Sequence, residues 1–190
     1  MSDFDKLSAT FDTNWTTILV GWQGLGVLSP WPERWVEFPP LISAEEIADY
    51  SYARLVHSSD ANERDLIEKL LSVKLQTQSR QEIRNVLKRL SDMLGGNEAI
   101  ELRKWRMVLL EDLLGTMPKD ALYGLMALSE FWQKFGFPAD SPHVVQGRGN
   151  TITPSEYFQQ ENLDRLLGCH QAWLHEEKAA IMKQEMSKVA

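Results

Sequence analysis

Cysteine is almost absent from this chain: Cys169 is the only one in 190 residues. A single thiol closes no internal disulfide and supplies no zinc cluster, so neither device holds the fold. Basic charge is in deficit, with 20 Lys and Arg against 27 Asp and Glu and a formal charge of −7. Such a field repels phosphate backbones, which argues against direct nucleic-acid binding and suits a basic partner. Solubility alone also explains an acidic balance. No apolar run approaches the roughly 20 residues that span a bilayer. The opening M-S-D-F-D-K-L-S lacks the basic start and apolar stretch of a signal peptide, so the expected location is the cytoplasm, with no membrane partner. Alternating β patterns are scarce as well. Only Val144-Val145 and the Trp35-Val36 region offer one.

What is present is helical. Hydrophobic residues make up 43% and charged residues 25%, a globular composition rather than a disordered one. Asn14 is a plausible cap for a helix over 14–27 carrying Trp15, Ile18, Leu19 and Trp22, although a short strand around Val20 stays open. The stretch Ser29–Pro40 holds four prolines and reads as an irregular loop or one short extended piece. Ser43 with Glu46 and Ser79 with Glu82 match the capping box, in which the cap side chain and the third helical residue exchange hydrogen bonds.

The first box starts a helix to about residue 58, with Ile47, Tyr50, Ala53 and then Val56 or His57 on its inner face. The second starts a helix whose stripe is Ile83, Val86, Leu87, Leu90 and Leu94, ended by Gly95-Gly96. Between them, 62–75 carries Leu66, Ile67, Leu70, Leu71 and Leu75. Residues 97–115 predict a helix with Leu102, Trp105, Leu109 and Leu113 inward. Pro118 opens another to about Phe135, burying Leu122, Leu125, Leu128 and Trp132. Thr153-Pro154-Ser155-Glu156 stacks two start signals, and the pattern runs to about Ser187 with at most a break near Gly168. The expectation is an all-α, single-domain, bundle-like array of about seven helices over 1–190 with irregular Pro/Gly-rich loops.

Chemistry-bearing constellations are thin. His170 and His175 are five apart and so on different helix faces, unlike the zinc-binding H-E-x-x-H pattern; no metal or cofactor is expected. Cys169 and His170 are sequence neighbours that point apart on a helix. Most carboxylates fall in first turns or on outer faces; Glu111-Asp112, flanked by leucines, places one member outward and the other at the edge of the core without arguing an acid pair, and no catalytic residue is assigned. G-R-G-N at 147–150 could offer backbone donors to an anion, with Arg148 as counter-charge. Without a strand–loop–helix frame it reads better as a turn, but His143, Arg148 and Asn150 remain the candidate ligand loop. Asp140 reads as a turn cap there. Trp15, Trp105, Trp132 and Trp173 fall on apolar stripes. Trp31 and Trp35 do not, and tryptophan off a stripe is either tucked back into the core or offered to a partner.

Several motifs resemble a family of bacterial proteins of formerly unknown function that includes immunity proteins of contact-dependent growth-inhibition and polymorphic toxin systems. They are Asn14, Trp15, Ile18 and Gly21; Leu28-Ser29 with Glu46–Tyr50; E-F-W-x-x-F-G-x-P-x-D-S-P-H at Glu130–His143; Q-G-R-G-N at Gln146–Asn150; T-P-x-E-Y-F at Thr153–Phe158; and His170 with Trp173. These cover about the first 55 and last 65 residues. The resemblance implies a helical cytoplasmic protein, not an enzyme, that binds a cognate toxin domain, a basic nuclease with an RNase the first expectation. Pro30–Leu41 departs from the pattern like an insertion, so Trp31, Glu33, Trp35 and Glu37 are the candidate toxin contacts. A small-ligand protein or enzyme using the His143–Asn150 loop is the alternative, and a subunit of a larger assembly is a third class.

Overall fold

The computed structural model describes residues 1–30, 33–72 and 79–189, and for 27–30, 33–36 and 188–189 the backbone alone. The fold is all-α except for one two-stranded hairpin; nine helices are present among the described residues. The chain divides into two compact units: residues 1–24 with 39–105, and residues 25–38 with 106–190.

In the first unit, α1 (Asp3–Thr10) begins at Ser2, whose hydroxyl accepts from Asp5 N while Asp5 accepts from Ser2 N. The same box starts α3 (Ala44–His57) at Ser43 and α5 (Arg80–Met93) at Ser79. Asn14 caps α2 (Trp15–Gln23) by accepting from Thr16 N at 2.8 Å and Thr17 N at 3.2 Å. The helix ends at Gly24, where φ of 68° suits glycine. Gly21, by contrast, lets the Trp105 ring approach. A Cβ there would stand 2.6 Å from the indole. With α4 (Ala61–Ser72), these helices bury Leu7, Trp15, Ile18, Ile47, Ile67, Leu70, Leu87 and Leu90. The division between units falls inside α6 (Glu98–Thr116).

In the second unit, β1 (Gly26–Pro30) and β2 (Glu33–Glu37) pair antiparallel, with Leu28 opposite Trp35. Helices α7 (Ala121–Lys134), α8 (Pro154–Tyr157) and α9 (Gln160–Val189) follow. Its core gathers Leu110, Leu125, Leu128, Phe131, Trp132, Tyr157, Leu163 and Leu166.

Several expectations need correction. α1 was not foreseen, because its stretch is short and carries few apolar residues. Ser29–Pro40, expected as an irregular loop or one short extended piece, holds the end of β1 and all of β2; each strand of a two-stranded sheet is an edge strand, where proline is tolerated, and Pro39 and Pro40 lie beyond it. On α3 the inward positions are Ile47 and Ser51, leaving Ala53, Val56 and His57 exposed. Leu94, past the end of α5, is exposed too. Leu75 lies outside the described residues.

On α6 the inward stripe runs through Glu101, Trp105 and Val108, and Leu102 faces out. The phase is set by Trp105, whose Nε1 donates to Thr17 O at 3.0 Å, and by polar partners waiting for Glu101. Pro118 does not open α7: Asp120 does, accepting from Tyr123 N at 3.0 Å, and Leu122 stays exposed. The last break falls at Phe158 and Gln159, not at Gly168, which faces open space inside α9. There a glycine costs roughly 1 kcal/mol relative to alanine but breaks nothing.

Candidate functional site

Residues from three motifs of the second unit, Trp132 to His143, Tyr157, and His170 with Trp173, meet in one largely buried cluster. At its centre is Arg106 of α6. Its guanidinium bonds both carboxylate oxygens of Asp140, with Nη1 to Oδ1 at 3.2 Å, and lies 3.4 Å from Glu177 Oε1 on α9. Its Cζ also lies over two indoles, 4.9 Å from the Trp173 ring centre and 5.7 Å from that of Trp132. A bidentate fork on a carboxylate is what arginine provides and lysine does not. Asp140 therefore fastens its loop to α6 rather than capping a turn.

Beside this pair, Trp132 Nε1 donates to His170 Nε2 at 2.8 Å, and His170 Nδ1 lies 2.6 Å from Leu166 O. An indole only donates and a carbonyl only accepts, so His170 is the neutral Nδ1–H tautomer. Burial lowers its pKa, against a smaller opposing pull from the Leu166 carbonyl.

The His143 ring packs against that of His170 at a tilt of 57°, ring centres 5.6 Å apart. Its Nε2 is 2.9 Å from Ser129 Oγ and 3.4 Å from the Tyr157 hydroxyl. Those hydroxyls also have carbonyl acceptors: Leu125 O for Ser129 and Val144 O for Tyr157, each at 2.9 Å. Whichever tautomer His143 takes, its buried Nδ1 has no partner. Burial first, and then His170, push its pKa down to about 4. The one Ser129 proton has two acceptors at the same distance, Leu125 O and His143 Nε2, each at 2.9 Å. Arg106 Nε is the other buried atom of the cluster without a partner.

Residues 4–178 match a family described as an uncharacterized protein conserved in bacteria, DUF2247. The chain belongs to DUF2247. The match runs through the middle of the chain, which the recognised motifs leave out. No curated protein and no solved structure matches the chain.

Within this DUF2247 chain the three residues of the proposed ligand loop go separate ways. His143 points inward as described. The exposed Arg148 lays its guanidinium on Phe137, 4.6 Å from the ring centre. Asn150 ties the turn: Nδ2 donates to Val145 O at 2.8 Å and Arg148 O at 3.0 Å, while Oδ1 accepts from Gly147 N and Ile152 N, each at 3.2 Å. Gly147 and Gly149 sit at φ of 73° and 70°. A Gly147 donor committed to Asn150 is not offered to an anion, so the G-R-G-N turn is organised for itself.

The proposed toxin contacts lie on the hairpin. Trp31 is outside the described residues; Glu33, Trp35 and Glu37 take alternate positions along β2, opposite Pro30, Leu28 and Gly26, and Glu37 is exposed. The hairpin backbone contacts α7, and Lys134 of that helix lies 5.8 Å from the Phe38 ring centre. Sequence reasoning missed Arg106, Ser129 and Glu177. A signal was available for Arg106. In K-W-R-M-V-L-L, two charges interrupt an otherwise apolar run, which calls for buried partners.

Proposed function

We propose that this DUF2247 protein is an immunity protein: it binds a cognate toxin domain, a basic nuclease and first of all an RNase, and blocks it by covering the active site. The family match itself carries no activity; the toxin link rests on the motif resemblance. The observation that supports it most is where the motif residues go. Trp132, Asp140, His143, Tyr157, His170 and Trp173 bond or pack within one unit, so the shared motif serves the scaffold. Contacts to differing partners then belong on variable surface, and the hairpin, where the sequence departs from the motif, is the natural place. An acidic protein meeting a basic nuclease gains association rate from the complementary field. No helix among the described residues is long and apolar enough to cross a membrane, which is compatible with the cytoplasm.

Co-purification with the product of the adjacent reading frame tests the assignment, together with rescue of cells expressing that product. Trp35→Ala should weaken protection without altering folding, and reversing Glu33 and Glu37 should slow binding most at low salt. An aromatic anchor contributes about 2 kcal/mol or more when desolvated. Unchanged affinity in the folded triple variant would move the interface off the hairpin. The unpartnered Nδ1 of His143 favours a second reading, a small-ligand protein or enzyme; an Arg148→Ala protein that stays folded but loses a ligand or a reaction would support it.

A further inference from the structure

The inner side of α3 is fully engaged. Ile47 and Ser51 are buried, the Tyr50 hydroxyl donates to Thr13 O at 3.3 Å, and Arg54 pairs with Glu63 at 3.1 Å. The opposite side carries a single line of residues, Glu45, Asp49, Tyr52 and Val56, at steps of four, three and four. Such steps stack side chains along one helical face. Tyr52 is 59% exposed and Val56 78%. Apolar side chains exposed singly are ordinary, but here two in successive turns extend a line of carboxylates. Glu45 and Asp49 make no ion pair among the described residues. The one arginine of α3 is committed to Glu63, and the helix has no lysine; the helix dipole partly offsets Glu45 in the first turn, and Asp49 lies beyond that turn.

We infer that this outer stripe of α3 docks a basic protein, with cationic side chains meeting Glu45 and Asp49 and an apolar side chain covering Tyr52 and Val56. The carboxylates would repel a nucleic acid or an anionic lipid surface. A second copy of this chain would bring the same unpaired carboxylates rather than cations. That the partner is a toxin rests on the immunity reading.

The test is a binding titration against the purified product of the adjacent reading frame, at low and high salt. The Tyr52→Ala/Val56→Asp variant should raise Kd by about tenfold or more. Glu45→Lys/Asp49→Lys should slow association by about tenfold at low salt, with the difference shrinking at high salt. All four side chains point to solvent, so circular dichroism and melting should match wild type; if charge reversal disturbs the fold, Glu45→Gln/Asp49→Asn replaces it. Wild-type affinity in both folded variants would overturn the α3 surface and leave the immunity reading standing. A wild-type protein that neither binds nor neutralises that product would overturn both.

Discussion

In the first unit two buried carboxylates, Glu63 and Glu101, lie at the centre with the buried Lys104 beside Glu101, and in the second the central ion is a guanidinium. Glu63 accepts from Trp15 Nε1 at 2.7 Å, from Ser58 and from Arg54; Glu101 accepts from Thr17 at 2.7 Å, Asn14 at 3.2 Å and Lys104. Lys104 is further satisfied by Asp12 O at 2.8 Å. Most of those donors are neutral side chains fixed on other helices, so these carboxylates do not depend on one counter-ion. Arg106 relies on Asp140, Glu177 and two indoles; its Nε and the nearby His143 Nδ1 go unpartnered, as Arg54 Nε and Glu46 Oε1 do in the first unit. The two polar cores thus differ in redundancy. The first spreads each charge over several donors; the second concentrates its holding power in one residue.

That difference predicts unequal mutational costs, and the largest falls on Arg106. Arg106→Met keeps the bulk but removes the charge, leaving Asp140 without its bidentate partner and Glu177 buried without this contact. Asp140 is half exposed and adds little, so the cost rests on the buried Glu177, where breaking a pair from one side costs up to about 3–5 kcal/mol. Glu63→Gln should cost less, about 1–3 kcal/mol, because a carbonyl oxygen in the place of Oε1 still accepts from Trp15 and Arg54, while the amide nitrogen in the place of Oε2 no longer accepts from Ser58. Denaturant unfolding of both variants checks the ordering. Equal costs would mean that the second unit shares its load as widely as the first.

A smaller expected effect separates the units by pH. The folded pKa of His143 is about 4, against an ordinary 6.5, and His170 is displaced in the same direction. The unfolded chain therefore binds more protons than the folded one between these values. Stability from these neutral imidazoles is complete above about pH 6.5 and fades as pH falls toward 4. For Glu63, burial raises the pKa, but hydrogen bonds from Ser58, Trp15 and Arg54 outweigh it and leave the carboxyl below its usual 4.5. Its contribution persists above 4.5 and is lost as pH falls below that. Amide exchange at pH 7 and pH 5 should show α7 and α9 losing protection before α3 and α5. In His143→Gln the early loss should shrink, and an unchanged profile would remove His143 as its cause.

The helical scaffold was legible where a local signal sets it. Ser43, Ser79 and Thr153 each form the expected box with the residue three further on, and Asn14 caps α2. Local signals failed where tertiary partners choose the phase. Leu102 fits an apolar stripe as well as Glu101 does a solvent face, but donors from α2 and its cap turn α6 so that Glu101 is inside. The buried cluster was half legible. Trp132 and Trp173 were placed inward by their spacing, and His143 was singled out for its motif. Its link to Ser129, and that of Asp140 to Arg106, join residues 14 and 34 positions apart, beyond the reach of any periodicity. Hairpin pairing likewise depends on register between strands, which four prolines obscured.

The smallest expected effect concerns Arg148, and it tests whether the loop after α7 resembles the first unit in spreading its load. The loop is held at one end by Asp140 on Arg106, and nearer its other end by Asn150, which bonds to four backbone groups. Arg148 adds only a guanidinium over Phe137 at an exposed position. An exposed cation–π contact contributes about 0.5–1 kcal/mol, so Arg148→Ala should lower stability by no more than that. Asn150→Ala should cost more, because it releases Gly147 N, Ile152 N and two carbonyls at once. Phe137, held at φ of 51°, loses its cover in Arg148→Ala but not its backbone constraint. Thermal melts of the two variants, read beside protection by each, separate a turn fastened mainly by its asparagine from one whose arginine serves a ligand. If Arg148→Ala melts like wild type but abolishes protection, the arginine belongs to a contact surface and the loop is more than scaffold.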